Sequence, residues 1–247
     1  MQKFEPGPFV RQAGLRVRQL DPLQFVRQAG FRVASKGAAD RLSSRRVYLG
    51  LRCDLSELPE PRSGKVLIEM VARDAPTFRG FTDELRDATG NDYVQVLLRT
   101  WMCANDVRTL YAAEADDGRP IYAQWLVRQV DQQRLQADTP DAHDELADDE
   151  VLLEGAYTFV AFRGVGAMAD GMGQLLRIAR DEGSAAAITY VRDDNIPSLR
   201  GCARVGFVLD HVRVNSTRLG RGRSNRSEIE SAAQQAWESA VGSPVRT

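Results

Sequence analysis

The chain has 247 residues, 43% of them hydrophobic and 27% charged, with a net charge of −1; a packed globular core is expected, in one large domain or one medium domain with extensions. Three widely spaced cysteines (Cys53, Cys103, Cys202) and two histidines, with no C-x-x-C pair, argue against a disulfide scaffold and a Cys/His zinc site, so no metal is expected. No run approaches ~18 uncharged apolar residues and no signal-type apolar region opens the chain, so no membrane span is expected and the compartment expected is the cytoplasm.

Charge is unevenly spread. Residues 1–53 carry eleven Lys/Arg against three Asp/Glu, whereas 131–150 carry eight Asp/Glu against one Arg. Such blocks mark solvated or mobile surface. In the basic part, "FVRQAGLRV" at 9–17 returns as "FVRQAGFRV" at 25–33. Two copies are too few for a solenoid. They read as amphipathic turns packed on the domain or on each other, or as a basic arm suited to an acidic surface. Few aromatics interleave the basic residues, so no nucleic-acid partner is expected. "LSELPEPRSG" at 55–64 has the composition of a linker. The chain divides into a basic extension (1–60), a main domain (61–216, with an acidic insertion at 131–150) and a tail (217–247).

Along the main domain, "KVLIEMVAR" at 65–73 reads as a strand. Residues 75–88 read as helical, and a further helix follows with Asn91 as its cap and Tyr93, Leu97 and Trp101 on one face. "RTLYAAEADDGRPIYAQWLVR" holds two strands around a turn at Asp117-Gly118. The acidic stretch 131–150 reads as an exposed loop. Strands are expected at 151–162 and in "SAAAITYVR" and "FVLDHVRVNST", with a short helix in "NIPSLRGCARVGF" closed by Gly206. The tail loses strand character, but "SEIESAAQQAWESAV" reads as one helix with Ser227 as cap.

Between the strand at 151–162 and the helix after it lies "FRGVGAMADGMGQLL" (162–176). A glycine turn feeding a helix start is a standing anion site. Unpaired N–H groups point outward, the helix dipole adds positive potential, and glycine lets the backbone approach closely. Arg163 would add charge-assisted bonds. The same small residues also suit tight packing on a sheet. No Lys-Ser/Thr follows the glycines, which excludes a P-loop, and the segment is a poor dinucleotide fingerprint.

In their order, these pieces resemble the GNAT acetyltransferase superfamily. "RGVGAM" is similar to that family's R/Q-x-x-G-x-G/A pyrophosphate loop, with Arg163 and Gly166 at matching positions. "NIPSLRGCARVGF" is similar to its N-x-x-S-x-x-x-Y-x-x-x-G-F segment, matched by Asn195, Ser198, Gly206 and Phe207. The resemblance covers about 151–214 well and 65–128 in strand order. It implies an α/β (α+β) fold whose mixed, mostly antiparallel sheet splays at one point and is flanked by helices. It implies acetyl-CoA as co-substrate, its pantetheine arm along Tyr157, Thr158 and Phe159. Amides of Arg163, Gly164, Val165, Gly166, Ala167 and Met168 would hold the pyrophosphate, with Asn195 and Ser198 facing the same ligand.

Two positions depart from the pattern. Met168 stands where the loop ends in Gly or Ala, and either points into the core or narrows the phosphate site. Cys202 stands at the tyrosine that protonates the leaving thiolate; it is a weak hydrogen-bond donor, and free cysteine usually packs as a small hydrophobe. Tyr190 and Tyr157 are the other donor candidates. Glu154, on the cofactor strand, is the first candidate for the base, with Glu114 and Asp116 behind it. The activity implied is N-acetyl transfer by direct attack of a primary amine, on a small molecule or amino sugar rather than a protein, with a homodimer allowed. The alternatives are a transferase of a larger acyl or aminoacyl group and a non-catalytic CoA-binding module.

Overall fold

The computed structural model describes residues 43–60, 67–105, 107–136, 143–218, 221–229 and 231–242; the repeat at 9–33 lies outside the described residues. Eight strands make one sheet: β1 (Ser43–Asp54), β2 (Val71–Arg73), β3 (Leu110–Glu114), β4 (Pro120–Arg128), β5 (Glu150–Thr158), β6 (Ala186–Arg192), β7 (Val208–Arg218) and β8 (Arg221–Ser227). Their order is β2-β3-β4-β5-β6-β1-β7-β8. The β5–β6 pair is parallel and the other neighbours are antiparallel. The helices are α1 (Gly80–Asp87), α2 (Gly90–Ala104), α3 (Gln129–Gln136), α4 (Ala167–Asp181), α5 (Ile196–Arg204) and α6 (Ser231–Val241).

Each strand alternates its side chains between two faces, and each face has its own apolar cluster. On one, Leu49, Leu51 and Leu153 meet Leu175 and Leu176 of α4, Leu199 of α5 and Ala233 of α6. On the other, Trp125 and Leu152 meet Phe81 of α1, Met102 of α2 and Leu135 of α3. Trp125 is fully buried, stacks on Phe81 at 5.7 Å and donates its Nε1–H to the Val107 carbonyl. Its indole therefore gains burial without leaving a polar atom unpaired.

Several expectations change. Residues 43–54, read as part of the basic extension, form β1 between β6 and β7. The apolar side of that strand, Leu49, Leu51 and Cys53, alternates with Arg52 and Asp54 and is buried, which the surrounding charge concealed. The strand expected at 65–73 is only Val71–Arg73, and the cap position of α2 is Thr89 rather than Asn91. The tail supplies a strand as well as a helix: β8 pairs with β7, and Ser227 closes β8 instead of capping α6. Residues 129–136 of the acidic stretch are helical, with Gln132 and Leu135 buried. The hairpin falls as read, with Gly118 at φ 79° in its turn.

Two features shape the middle of the sheet. Tyr157 pairs with Ala123 and Glu154 with Trp125, so Gly155 and Ala156 stand opposite Gln124 alone. This is a β-bulge, with Gly155 at φ 66° as such an extra residue often requires. Secondly, β5 and β6 pair only from Glu150↔Ala186 to Leu152↔Ile188. Both strands run on, β5 to Thr158 and β6 to Arg192. The sheet therefore opens between them, as the resemblance implies.

The glycines of α4 serve packing. An ideal Cβ on Gly171 would lie 2.5 Å from the Tyr122 ring, which is fully buried and cannot yield. At Gly173 the nearest atom is the tip of Arg177, at 3.2 Å. Alanine gains up to ~1 kcal/mol over glycine in a helix interior, whereas overpacking costs about 1–3 kcal/mol. Gly171→Ala is therefore expected to lower the stability measured by urea unfolding and Gly173→Ala to hold or raise it; equal effects would refute the packing account.

Candidate functional site

The opening in the sheet brings together the end of β5, the turn after it and the start of α4. Arg99 of α2 is buried and holds the bulge, donating to the Gly155 carbonyl at 2.8 Å and the Ala156 carbonyl at 2.7 Å. Burial pulls its guanidinium down to about 10, which still leaves it charged at neutral pH. The clamp meets backbone acceptors that the bulge would otherwise leave unpaired. Beyond the bulge, Tyr157 and Phe159 pack edge-to-face at 5.2 Å and join Phe81. The Tyr157 hydroxyl donates to Glu84. Tyr157 and Phe159 thus point into the apolar layer, leaving the strand's backbone to face the opening; Thr158 is half-buried beside them.

The turn between β5 and α4 is left-handed at two glycines. Gly164 lies at φ 80° and Gly166 at φ 91°. An added Cβ at Gly164 would meet nothing within 4 Å, so the loop is open on that side. Gly166 is the N-cap of α4 and no side chain caps the helix. The first-turn amides, among them those of Ala167 and Met168, have no intrahelical acceptor. Val165 is half-buried. The Met168 thioether lies over Gly201 of α5, 3.1 Å from where a Cβ would be. It packs between helices and does not fill the turn.

Arg163 is already paired within the chain. It forms a two-pronged pair with Asp92 at the start of α2, at 3.0 and 2.8 Å. The hydrogen bond from Arg163 holds the Asp92 carboxyl below its ordinary value. Asn195 and Ser198 also have a local role. The Asn195 side chain accepts from the Ser198 amide as the N-cap of α5, which explains the N-x-x-S spacing as a capping device.

Glu154 stands two residues past the last β5–β6 pair, and Tyr190 stands two past the same point on β6. Both therefore flank the opening on the same face of the sheet. The Glu154 side chain is 21% exposed and its Oε2 lies 3.1 Å from Nε2 of His143. Burial works to raise the Glu154 carboxyl, but the His143 hydrogen bond and charge, the Gly155 amide and Arg99 together hold it below its ordinary value. Tyr190 shares its hydroxyl with Asp144, and burial pushes the phenol up. Neither His143 nor Asp144 stood among the sequence candidates, because the stretch 131–150 reads as solvated. Its end is docked instead: Leu146 is 3% exposed, and Gln132 of α3 accepts from the Leu146 amide.

The other candidates lie apart. Cys202 is fully buried in α5, and burial pushes its thiol up to about 12. Glu114 pairs with Arg73 on the β2–β3 edge, and Asp116 is exposed beside the hairpin turn. Two depressions of about 420 and 470 Å³ are lined by Arg52, Asp54 and Arg180 and by Arg73, Asp74 and Arg108. Both are shallow surface depressions away from the opening. Among the described residues no helix is long and apolar enough to cross a membrane.

No family model and no curated protein matches the chain. Among solved structures it is similar to a GNAT-family acetyltransferase from Colwellia psychrerythraea, with 13% identity over 71% of this chain and 57% of that one, and a TM-score of 0.48. It is similar to a GCN5-related N-acetyltransferase from Sphaerobacter thermophilus, with 12% identity over 78% and 56% of the two chains and a TM-score of 0.45. A glucosamine N-acetyltransferase region of a fungal multi-domain β-N-acetylglucosaminidase is also similar, with 13% identity over 69% of this chain and 20% of that one, and a TM-score of 0.48. The chain thus spans between a fifth and three fifths of the length of these proteins.

Burial of the thiols gives a direct check. Cys53, Cys103 and Cys202 are all free and buried, with burial pushing them up to about 11, 12 and 12. A thiolate reagent such as Ellman's is expected to titrate no thiol in the native protein at pH 8 and all three in denaturant. Fast labelling of Cys202 in the folded protein would restore it as a candidate acid.

Proposed function

We propose that the chain is an acyl-CoA-dependent N-acyltransferase, with acetyl-CoA as donor and a small primary amine as acceptor. The observation that carries this reading is the arrangement around the opened sheet. The backbone of β5 past its bulge faces the opening, the uncapped glycine turn of α4 stands at one end, and the Glu154 carboxylate stands at its side. The open side of the turn at Gly164 fits a pyrophosphate, and an extended pantetheine arm fits the free edge of β5.

In this reading the amine nitrogen attacks the thioester carbonyl, the C–S bond breaks, and CoA leaves as its thiolate. Glu154 takes the proton of the incoming ammonium, directly or through water. A β5 amide facing the opening steadies the oxyanion. Holding the two reactants together can supply about 7–11 kcal/mol. A leaving thiol with a pKa of roughly 8.5 needs little help from an acid, so the burial of Cys202 is no obstacle. Tyr190 keeps its proton at neutral pH and lends it to Asp144. The second reading, a CoA-binding module without turnover, has the Arg163–Asp92 pair and the buried Cys202 in its favour.

Calorimetric titration with acetyl-CoA, against free pantetheine, tests the reading. Binding that requires the pyrophosphate is expected. Gly166→Asp should abolish it by placing a carboxylate at the anion site; aspartate tolerates a left-handed backbone better than most residues, so the fold should survive. Glu154→Gln should bind acetyl-CoA normally and lose about 10²-fold or more in turnover with an amine screen. Wild-type affinity in folded Gly166→Asp would refute the turn as the anion site, and tight binding without turnover would favour the second reading.

A further inference from the structure

The face of the sheet beyond the opening is polar. Tyr190 of β6 and His211 and Arg213 of β7 lie there, and His143 and Asp144 lie against them. Gly50 of β1 makes the seat: a Cβ there would come within 2.4 Å of the His211 imidazole, so the ring lies directly on the neighbouring strand. The rings of His211, Tyr190 and His143 follow one another at 5.5 and 5.4 Å.

Asp144 sits at the middle of this row. Its carboxylate accepts from Arg213, which is almost fully buried, from Arg226 at 3.0 Å and from the Tyr190 hydroxyl at 3.2 Å. Nε2 of His211 lies 3.3 Å away, and Nδ1 of the same ring is 2.8 Å from Asp210. Arg213 is braced in turn by Ser224, which donates to Asn215. From the other side, Gln132 donates to the Asp144 carbonyl and accepts from the Leu146 amide. Arg213 is almost fully buried, and a buried charge needs such partners. The segment is therefore fixed at Asp144, and with it the adjacent His143. Nδ1 of His143 is buried and has no partner among the described residues. Nε2 of the same ring lies 3.1 Å from the Glu154 carboxylate.

We propose that His143 is a positioning residue of the transfer reaction: it holds the Glu154 carboxylate in place beside the opening, and the Asp144 cage holds His143. The inference rests on Glu154 being the proton acceptor proposed above.

The consequence is a pH dependence with a definite sign. Glu154 is faced by His143 from the docked segment, Arg99 from α2 and Tyr190 across the opening; His143 is faced by Tyr190 and Asp144, with His211 and Arg213 behind them. Burial acts to raise the Glu154 carboxyl and His143 is the largest influence opposing it. A depressed carboxyl stays ionised to lower pH, so a base of this kind keeps working on the acid side. Without His143 the carboxyl titrates at higher pH, and the acid limb of the rate profile moves up with it.

The test measures kcat/KM against pH for the wild type, His143→Ala, His143→Gln and Asp144→Asn, with the Glu154 carboxyl followed independently by 13C NMR of labelled glutamate. In His143→Ala the acid limb and the NMR midpoint are expected to move to higher pH together, with kcat/KM at the foot of the profile falling about tenfold or more and recovering at the alkaline end. His143→Gln retains an N–H donor but not the imidazole charge, and should move limb and midpoint less than His143→Ala does. Asp144→Asn should behave as His143→Ala and speed hydrogen exchange in 143–149. A purely structural role would lower the melting temperature and leave limb and midpoint unmoved, which would overturn the inference. A wild-type protein that acetylates no amine would overturn the transferase reading, while the NMR midpoint would still decide whether His143 governs Glu154.

Discussion

The arrangement of this molecule depends on one failure of pairing. After Leu152 and Ile188, strands β5 and β6 stop exchanging hydrogen bonds although both continue. Backbone polar groups inside a sheet must find partners, so an opening at its centre has to be built. Here the bulge at Gly155–Ala156 turns β5 at the point of divergence, and Arg99 takes the carbonyls it leaves over. Thr189 reaches back across the gap to the Leu153 carbonyl. On the far side β6 keeps its full antiparallel register with β1. The opening is thus a place inside the sheet where backbone past Leu152 and Ile188 is not paired strand to strand.

The two sides of that opening are held differently. The β4–β5 side is fixed by apolar packing, with Trp125, Tyr157 and Phe159 each in ring contact with Phe81. The β6–β7 side is fixed by charge: one carboxylate, Asp144, is shared among two guanidiniums, a phenol and an imidazole. Removing Asp144 would leave the buried Arg213 guanidinium short of its carboxylate, which costs more than the pair adds over apolar packing. Its value therefore lies in fixing a position. The position it fixes is that of a segment whose neighbouring residue meets the one carboxylate beside the gap.

Much of this could be read from the chain. The turn at Asp117-Gly118 and the glycine turn at 164–166 are local patterns, and local patterns survive folding. What escaped the sequence is long-range. β1 hides its apolar alternation in a basic segment and is completed by strands about 140 and 165 residues later, at Ala187 and Val212. The acidic stretch looks solvated because its cations, Arg213 and Arg226, lie some 70 and 80 residues further on. Pairs of opposite charge so far apart leave no periodic mark. The glycines of α4 were legible as small residues, but only the position of the Tyr122 ring distinguishes Gly171 as a packing contact.

Arg163 shows how one residue can fit both a family pattern and a local structure. Its pair with Asp92 is two-pronged but about half exposed, with side-chain exposures of 44% and 36%. Exposed ion pairs are worth about 0–1 kcal/mol, because water screens them and the side chains pay entropy to meet. A pyrophosphate on the α4 amides would carry more charge than one carboxylate and would offer a guanidinium equally good planar acceptors. Exchange of Asp92 for phosphate would therefore cost Arg163 little. Until then the pair ties α2, which carries the Arg99 clamp, to the turn of α4. The contact that occupies Arg163 is thus the same one that joins the start of α2 to the turn before α4.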